Sequence, residues 1–163
     1  MSEDGAAPSP YSPEDRLAAL GLTLPPVVPP LAAYVPAVRS GSTVYTSGQL
    51  PMTGGQLVST GKVGAEVGTA EAAALARTCV LNALAAAAAL AGGLSSISRV
   101  VKLTGFVASA PDFTAQPQVV NGASELLLEI FGDAGRHARS AVGVAVLPLN
   151  APVEIELTVE VRD

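Results

Sequence analysis

Between positions 153 and 161 apolar and polar residues alternate without a break: Val153, Ile155, Leu157, Val159 and Val161 against Glu154, Glu156, Thr158 and Glu160. Side chains of a strand point alternately to its two faces, so the pattern predicts a strand with one face in a core. Residues 139–147 repeat the alternation with smaller side chains: Val142, Val144 and Val146 against Arg139, Ala141, Gly143 and Ala145. A third β-prone run, "ISRVVKLTGFVAS", starts at Ile97. The Ser40-Gly41-Ser42 turn predicts an earlier hairpin.

Between these runs the texture is helical. Thr69 is expected to cap a helix over 70–91, stopped by Gly92-Gly93, and Pro111-Asp112 to open another that runs to about Phe131. Residues 52–69 hold five glycines and predict a long loop with at most one short strand. "SPEDRLAALG" is a short helix signal, with Ser12 as cap, Pro13 in the first turn and Gly21 as stop. Eight of the thirteen prolines fall within the first 36 residues. Residues 1–33 are therefore expected to form an arm, mobile over its first ten residues, laid on a domain spanning 34–163. The fold class this predicts is α+β: two helices on one face of a mostly antiparallel sheet, closed by a hairpin of the last two strands.

Composition narrows what such a domain could do. The 163 residues carry a formal net charge of −5 and only 4% aromatics, a poor basis for binding RNA or DNA. One cysteine, Cys79, and one histidine exclude an internal disulfide and any multi-cysteine metal site. Cys79 is expected to be a small core residue. Arg77 and Asn82 interrupt the apolar stretch from Ala72 to Leu94, which favours a buried helix over a membrane span. Acidic residues near the start and the lack of an apolar segment there argue against a signal peptide, so a cytoplasmic location is expected.

If the bulky face of each late strand packs on the helices, Arg139 and Glu154 both point to the helix-free side of the sheet. The small residues around Arg139 would then leave room for a second subunit. In a regular hairpin Arg139 lies opposite Val161 and Glu154 opposite Val146, which separates the two by roughly 23 Å of strand. They could share a site only across an interface between copies.

The segments "AAYVPAV", "YTSGQLP", "VVKLTGFV", "VVNGASELLLEIFG", "ARSAVGVAVLP" and "VEIELTVEV" occur in the order and spacing of the Rid family. That family was formerly called YjgF and is often labelled endoribonuclease L-PSP. The resemblance covers about residues 34–161 and implies a chorismate-mutase-like fold assembled as a homotrimer with intersubunit clefts. It also implies hydrolysis of small reactive enamine or imine acids to 2-oxo acids and ammonia, with no cofactor. Carried over position by position, Arg139 is the carboxylate anchor and Glu154 the cleft carboxylate. Tyr34 orients substrate, Ser47 and Gly48 complete the carboxylate pocket, and Asn121 is the helix asparagine. Two positions depart from the family pattern: Ala141 stands where a cysteine is common, and His137 stands where a proline is common. A runner-up reading is a non-catalytic trimer that binds a small carboxylate metabolite; a third is the ribonuclease of the old label.

Overall fold

The computed structural model describes residues 11–30 and 32–163, so the expectation for the first ten residues lies outside the described part. Helix α1, Pro13–Ala19, opens on the expected Ser12 cap, and the structure makes that cap reciprocal: Ser12 Oγ accepts from the Asp15 amide at 3.1 Å, and Asp15 accepts from the Ser12 amide at 3.1 Å. Leu17 is buried in the main core. Glu14 accepts hydrogen bonds from the Ser95 amide and hydroxyl, tying the helix to the far end of the domain. After Gly21 the chain runs through Pro25, Pro26, Pro29 and Pro30 without regular structure.

Five strands form one sheet in the order β1 (Ala37–Ser40), β2 (Thr43–Thr46), β7 (Val153–Val161), β5 (Ile97–Ala108), β6 (Ala138–Val144). β1 and β2 make the expected hairpin, turning at Gly41 with φ +61°. The glycine-rich loop differs from expectation by holding two short strands, β3 (Met52–Thr53) and β4 (Gln56–Leu57). They are joined by Gly54 and Gly55, both at positive φ, as a tight hairpin turn requires.

Helix α2, Thr69–Ala91, takes Gly68 rather than Thr69 as its N-cap and ends on Gly92 at φ +92°. It is long and apolar enough to cross a membrane by length and composition. Here it lies against the sheet and α3, with Leu75, Cys79, Val80 and Leu84 buried. Helix α3, Gln116–Phe131, starts five residues later than Pro111 suggested, because residues 111–115 form a turn.

The closing hairpin does not form. β6 pairs in parallel with β5, with Leu103 beside Arg139, and β7 lies between β2 and β5, antiparallel to both. Two physical reasons decide this. β7 carries a large aliphatic at every second position, all buried, which suits the centre of the sheet. β6 offers small side chains and follows a sixteen-residue helix, a crossover that returns the chain parallel to β5.

The expected faces of β6 are also reversed. Arg139, Ala141 and Gly143 look toward α3, whereas Val142 and Val146 are exposed on the other side. A Cβ on Gly143 would come within 2.8 Å of Gln116 Nε2, and one on Gly105 within 2.5 Å of Val120 Cγ2. The small residues therefore make room for α3, not for a second subunit. The face of the sheet away from the helices carries Val38, Tyr45, Val101 and Val142, all exposed.

Candidate functional site

The sequence-predicted residues gather into two groups. The first stands where the chain after β2 runs beside β7. Gln49 and Ile155 exchange both backbone hydrogen bonds, N–H to O at 2.8 and 3.0 Å, which lays Gly48 directly on the Glu154 side chain. A Cβ on Gly48 would fall inside the Glu154 carboxylate and 2.8 Å from its Cδ, so only glycine permits this approach. Glu154 and Gly48 line a cleft of about 60 Å³ with Tyr34, Gln49, Met52 and Pro148. The arm closes one side of it through Val28, Pro29 and Pro30.

Burial pushes the Glu154 carboxyl above the usual carboxylate range, and the like charge of Glu156 adds to the rise. Such a group holds and releases a proton closer to neutrality than an ordinary glutamate does. Ser47 sits beside the cleft rather than in its lining. Its hydroxyl donates to the Val35 carbonyl at 2.6 Å and its amide to the Pro36 carbonyl at 2.8 Å, so it braces the segment that carries Tyr34.

The second group lies on β6 and α3. Arg139 Nη1 donates to Asn121 Oδ1 at 2.7 Å and to Ser124 Oγ at 3.3 Å. Ser124 Oγ is 2.9 Å from His137 Nε2, and His137 Nδ1 donates to the Gly135 carbonyl at 2.6 Å. A carbonyl can only accept, so the imidazole proton sits on Nδ1 and Nε2 accepts from the serine in the neutral ring. The chain of bonds holds the guanidinium with neutral acceptors alone. Among the described residues no carboxylate pairs with Arg139.

The two groups do not meet within one chain. Arg139 is level with Leu103 and, across it, with Leu157, three residues along β7 from Glu154. Two strand spacings and that offset put the Cα atoms roughly 14 Å apart, with the side chains on opposite faces of the sheet. This replaces the longer separation expected from a hairpin, and the common helix-free face expected for the pair is likewise corrected.

Three contributors escaped the sequence reading. Asn82, buried in α2, donates through Nδ2 to the carbonyls of Leu50 at 3.1 Å and Met52 at 3.0 Å, fixing the floor of the cleft. Its signal was a lone amide in an alanine run on a buried helix face. Ser124 lies one turn after Asn121 on the same face of α3, a spacing that could have revealed it. The wall made by Val28, Pro29 and Pro30 had no local signal. Among the described residues no three His, Cys, Asp or Glu side chains cluster as a metal site would need.

A central strand antiparallel to both neighbours, with two long helices packed on one face of the sheet, defines an α+β fold of the chorismate-mutase-like kind. The chain belongs to the family described as "YjgF/chorismate_mutase-like, putative endoribonuclease", whose model matches residues 14–161 and so takes in α1. The Trypanosoma cruzi protein TCP17 is 45% identical over 149 residues, 91% of this chain and 93% of its own length. The crystal structure of Agrobacterium tumefaciens Atu1372, a protein of unknown function, is 52% identical, covers 92% of each chain and superposes with a TM-score of 0.85. E. coli TdcF, solved with bound serine, is 25% identical with a TM-score of 0.61, covering 84% of this chain and 94% of its own.

Proposed function

We propose that the protein hydrolyses small 2-imino and enamine acids to 2-oxo acids and ammonia. The observation that carries the reading is Arg139: a half-buried guanidinium, oriented by neutral partners and unpaired with any carboxylate among the described residues. A planar fork with its charge unmatched is suited to a carboxylate brought by a ligand. The serine seen with the relative TdcF, a small α-amino acid, has the same head group.

The site is completed when copies of the chain assemble as a homotrimer. The exposed Val38, Tyr45, Val101 and Val142 on the helix-free sheet face favour burial against another copy. Assembly also supplies what one chain lacks, an Arg139 group facing a Glu154 group. With the substrate carboxylate on Arg139 and Asn121, its C2=N bond lies at Glu154, Tyr34 and Gly48. A water oxygen bonds to C2 of the protonated imine as the Glu154 carboxylate accepts its proton. The same carboxyl returns a proton to nitrogen, the C–N bond breaks, and ammonia leaves. The hydroxyl proton then passes to the carboxylate as the 2-oxo group forms. No redox partner or cofactor enters the balance, and positioning supplies most of the acceleration.

The test is 2-oxo acid release from freshly generated 2-iminobutyrate, with chain mass followed by light scattering. Arg139→Lys keeps the charge but loses the fork, and is expected to lower kcat/KM by at least tenfold while assembly persists. Acceleration that survives both Arg139→Lys and Arg139→Ala would refute the anchor. Ligand binding without any acceleration would favour the non-catalytic trimer. RNA cleavage that weakens with added salt would favour the ribonuclease reading, which the net charge of −5 disfavours.

A further inference from the structure

The cleft at Glu154 does not end at the reacting groups. Beyond Val28, Pro29 and Met52 the same walls bound a second hollow of about 460 Å³, open to solvent, between the proline-rich arm, the β3–β4 hairpin and α2. These three residues line both spaces, so the hollows adjoin, with Val28, Pro29 and Met52 as their common wall. The first alone, at about 60 Å³, is far below the few hundred Å³ of an ordinary ligand site. It accommodates a reacting head group and little else.

The second hollow has the chemistry of a side-chain pocket. Its lining is chiefly hydrocarbon, from Pro25, Pro26, Val27 and Leu81, with Thr23, Thr53 and Thr78 beside them. The one amide in it, on Asn82, is already committed through Nδ2 to the Leu50 and Met52 carbonyls. Among the described residues no charged side chain lines it. Its walls are stiff for two separate reasons. Prolines fix the backbone of the arm, and the Asn82 bonds pin the hairpin root to α2. A stiff apolar pocket costs little ordering when it is filled.

From these observations we infer that the arm and the β3–β4 hairpin form a specificity pocket for an aliphatic substrate side chain of about four carbons. The preferred substrates are then 2-imino acids of the leucine type rather than the two-carbon side chain of 2-iminobutyrate. The inference rests on the deaminase reading for the direction of the ligand: carboxylate toward Arg139, C2 at Glu154, side chain past Met52 into the second hollow.

The experiment compares kcat/KM for 2-iminobutyrate and 2-imino-4-methylpentanoate, each generated in place by an amino acid oxidase. The wild-type chain is set beside Thr53→Trp, an exposed position that lines only the second hollow. The native protein is expected to favour the longer substrate by about tenfold or more, the usual discrimination for added methylenes in an apolar pocket. Thr53→Trp is expected to erase that ratio. Leu81→Trp fills the hollow from the helix side and should do the same if it folds. A native preference for 2-iminobutyrate, equal rates, or a preference that survives Thr53→Trp would overturn the inference. Calorimetric binding of 4-methyl-2-oxopentanoate and 2-oxobutyrate separates the two claims. If neither imine is turned over, the deaminase reading fails; tighter binding of the longer acid, lost in Thr53→Trp, then still supports the pocket, and equal or absent binding refutes it.

Discussion

Gly105→Ala tests the packing that places the Arg139 group. Gly105 lies on β5 in register with Ala141 of β6 and Ile155 of β7, directly beneath α3. An alanine Cβ would stand 2.5 Å from Val120 Cγ2, 2.8 Å from Val120 Cγ1 and 3.3 Å from Ile155 Cδ1. Ordinary carbon contacts begin near 3.5 Å, so α3 must retreat by about 1 Å or Val120 must leave its rotamer. Overpacking of this size costs about 2 kcal/mol. Val120→Ala alone also destabilises, by about 2 kcal/mol, because it leaves a buried void. Combined, the added methyl occupies the space the valine vacated. The double variant should therefore be less destabilised than the sum, with a coupling of about 1–2 kcal/mol.

Urea unfolding of the four chains at one fixed protein concentration reads the cycle. There is a functional corollary, since Asn121 follows Val120 and Ser124 lies one turn on. Moving that face of α3 by about 1 Å should cost roughly tenfold to a hundredfold in kcat/KM, and Val120→Ala in the same chain should restore most of it. A neutral Gly105→Ala, or strict additivity with Val120→Ala, would refute the view that glycine here makes room for α3.

Other consequences follow from the cleft. Glu154→Gln removes a carboxyl whose pKa is raised above the ordinary value of 4.5 by burial first and Glu156 second. A raised folded-state pKa gives stability that is fully present below the unfolded value and lost as pH rises through the folded one. The glutamine variant should thus gain Tm relative to wild type as the pH rises above the ordinary carboxyl value of 4.5, and a difference that does not change with pH would contradict the shift. Gly48→Ala should leave unfolding nearly unchanged, because only the mobile end of Glu154 must yield, yet lower 2-oxo acid release by at least tenfold and move its pH dependence toward acid. Asn82→Ala orphans the Leu50 and Met52 carbonyls and should cost about 1–3 kcal/mol. Hydrogen exchange over residues 50–57 should speed up with it; unchanged protection there would remove Asn82 as the pin.

Local signals in the sequence were strong where the physics is local. The Ser12 cap, the turn at Gly41 and the stop at Gly92 depend on a few neighbouring residues, and each stands where its chemistry puts it. Strand parity was legible too, since Val153, Ile155, Leu157, Val159 and Val161 do share the buried face. The inner face of β6 was not, because side-chain bulk is a poor guide at an edge strand. There the scarce quantity is space beneath a helix, and Ala141, Gly143 and Gly105 answer to that need. Partner choice was also out of reach. β6 and β7 are adjacent in sequence and each alternates, yet the crossover through α3 and the insertion of β7 between β2 and β5 are decisions of the whole sheet.

The division of the chemistry follows from that topology. Alternation along a strand forces neighbouring residues to opposite faces, so a sheet packed on helices has one wet face and one dry one. Glu154 sits on the helix-free face, half-buried in the cleft, where burial rather than a counter-ion sets its pKa. Arg139 reaches toward α3 from the edge strand, where Asn121, Ser124 and His137 can orient it without neutralising it. Had the two lain side by side in one chain, they would have formed an ion pair, and the substrate carboxylate would have had to compete with Glu154 for the guanidinium. Separation by roughly 14 Å and a sheet's thickness prevents that collapse. In the proposed trimer the groups meet only across an interface wide enough to admit a ligand between them. The arm then borders the cleft at Val28, Pro29 and Pro30, where it can select the side chain without touching the charges that hold and cleave the head group.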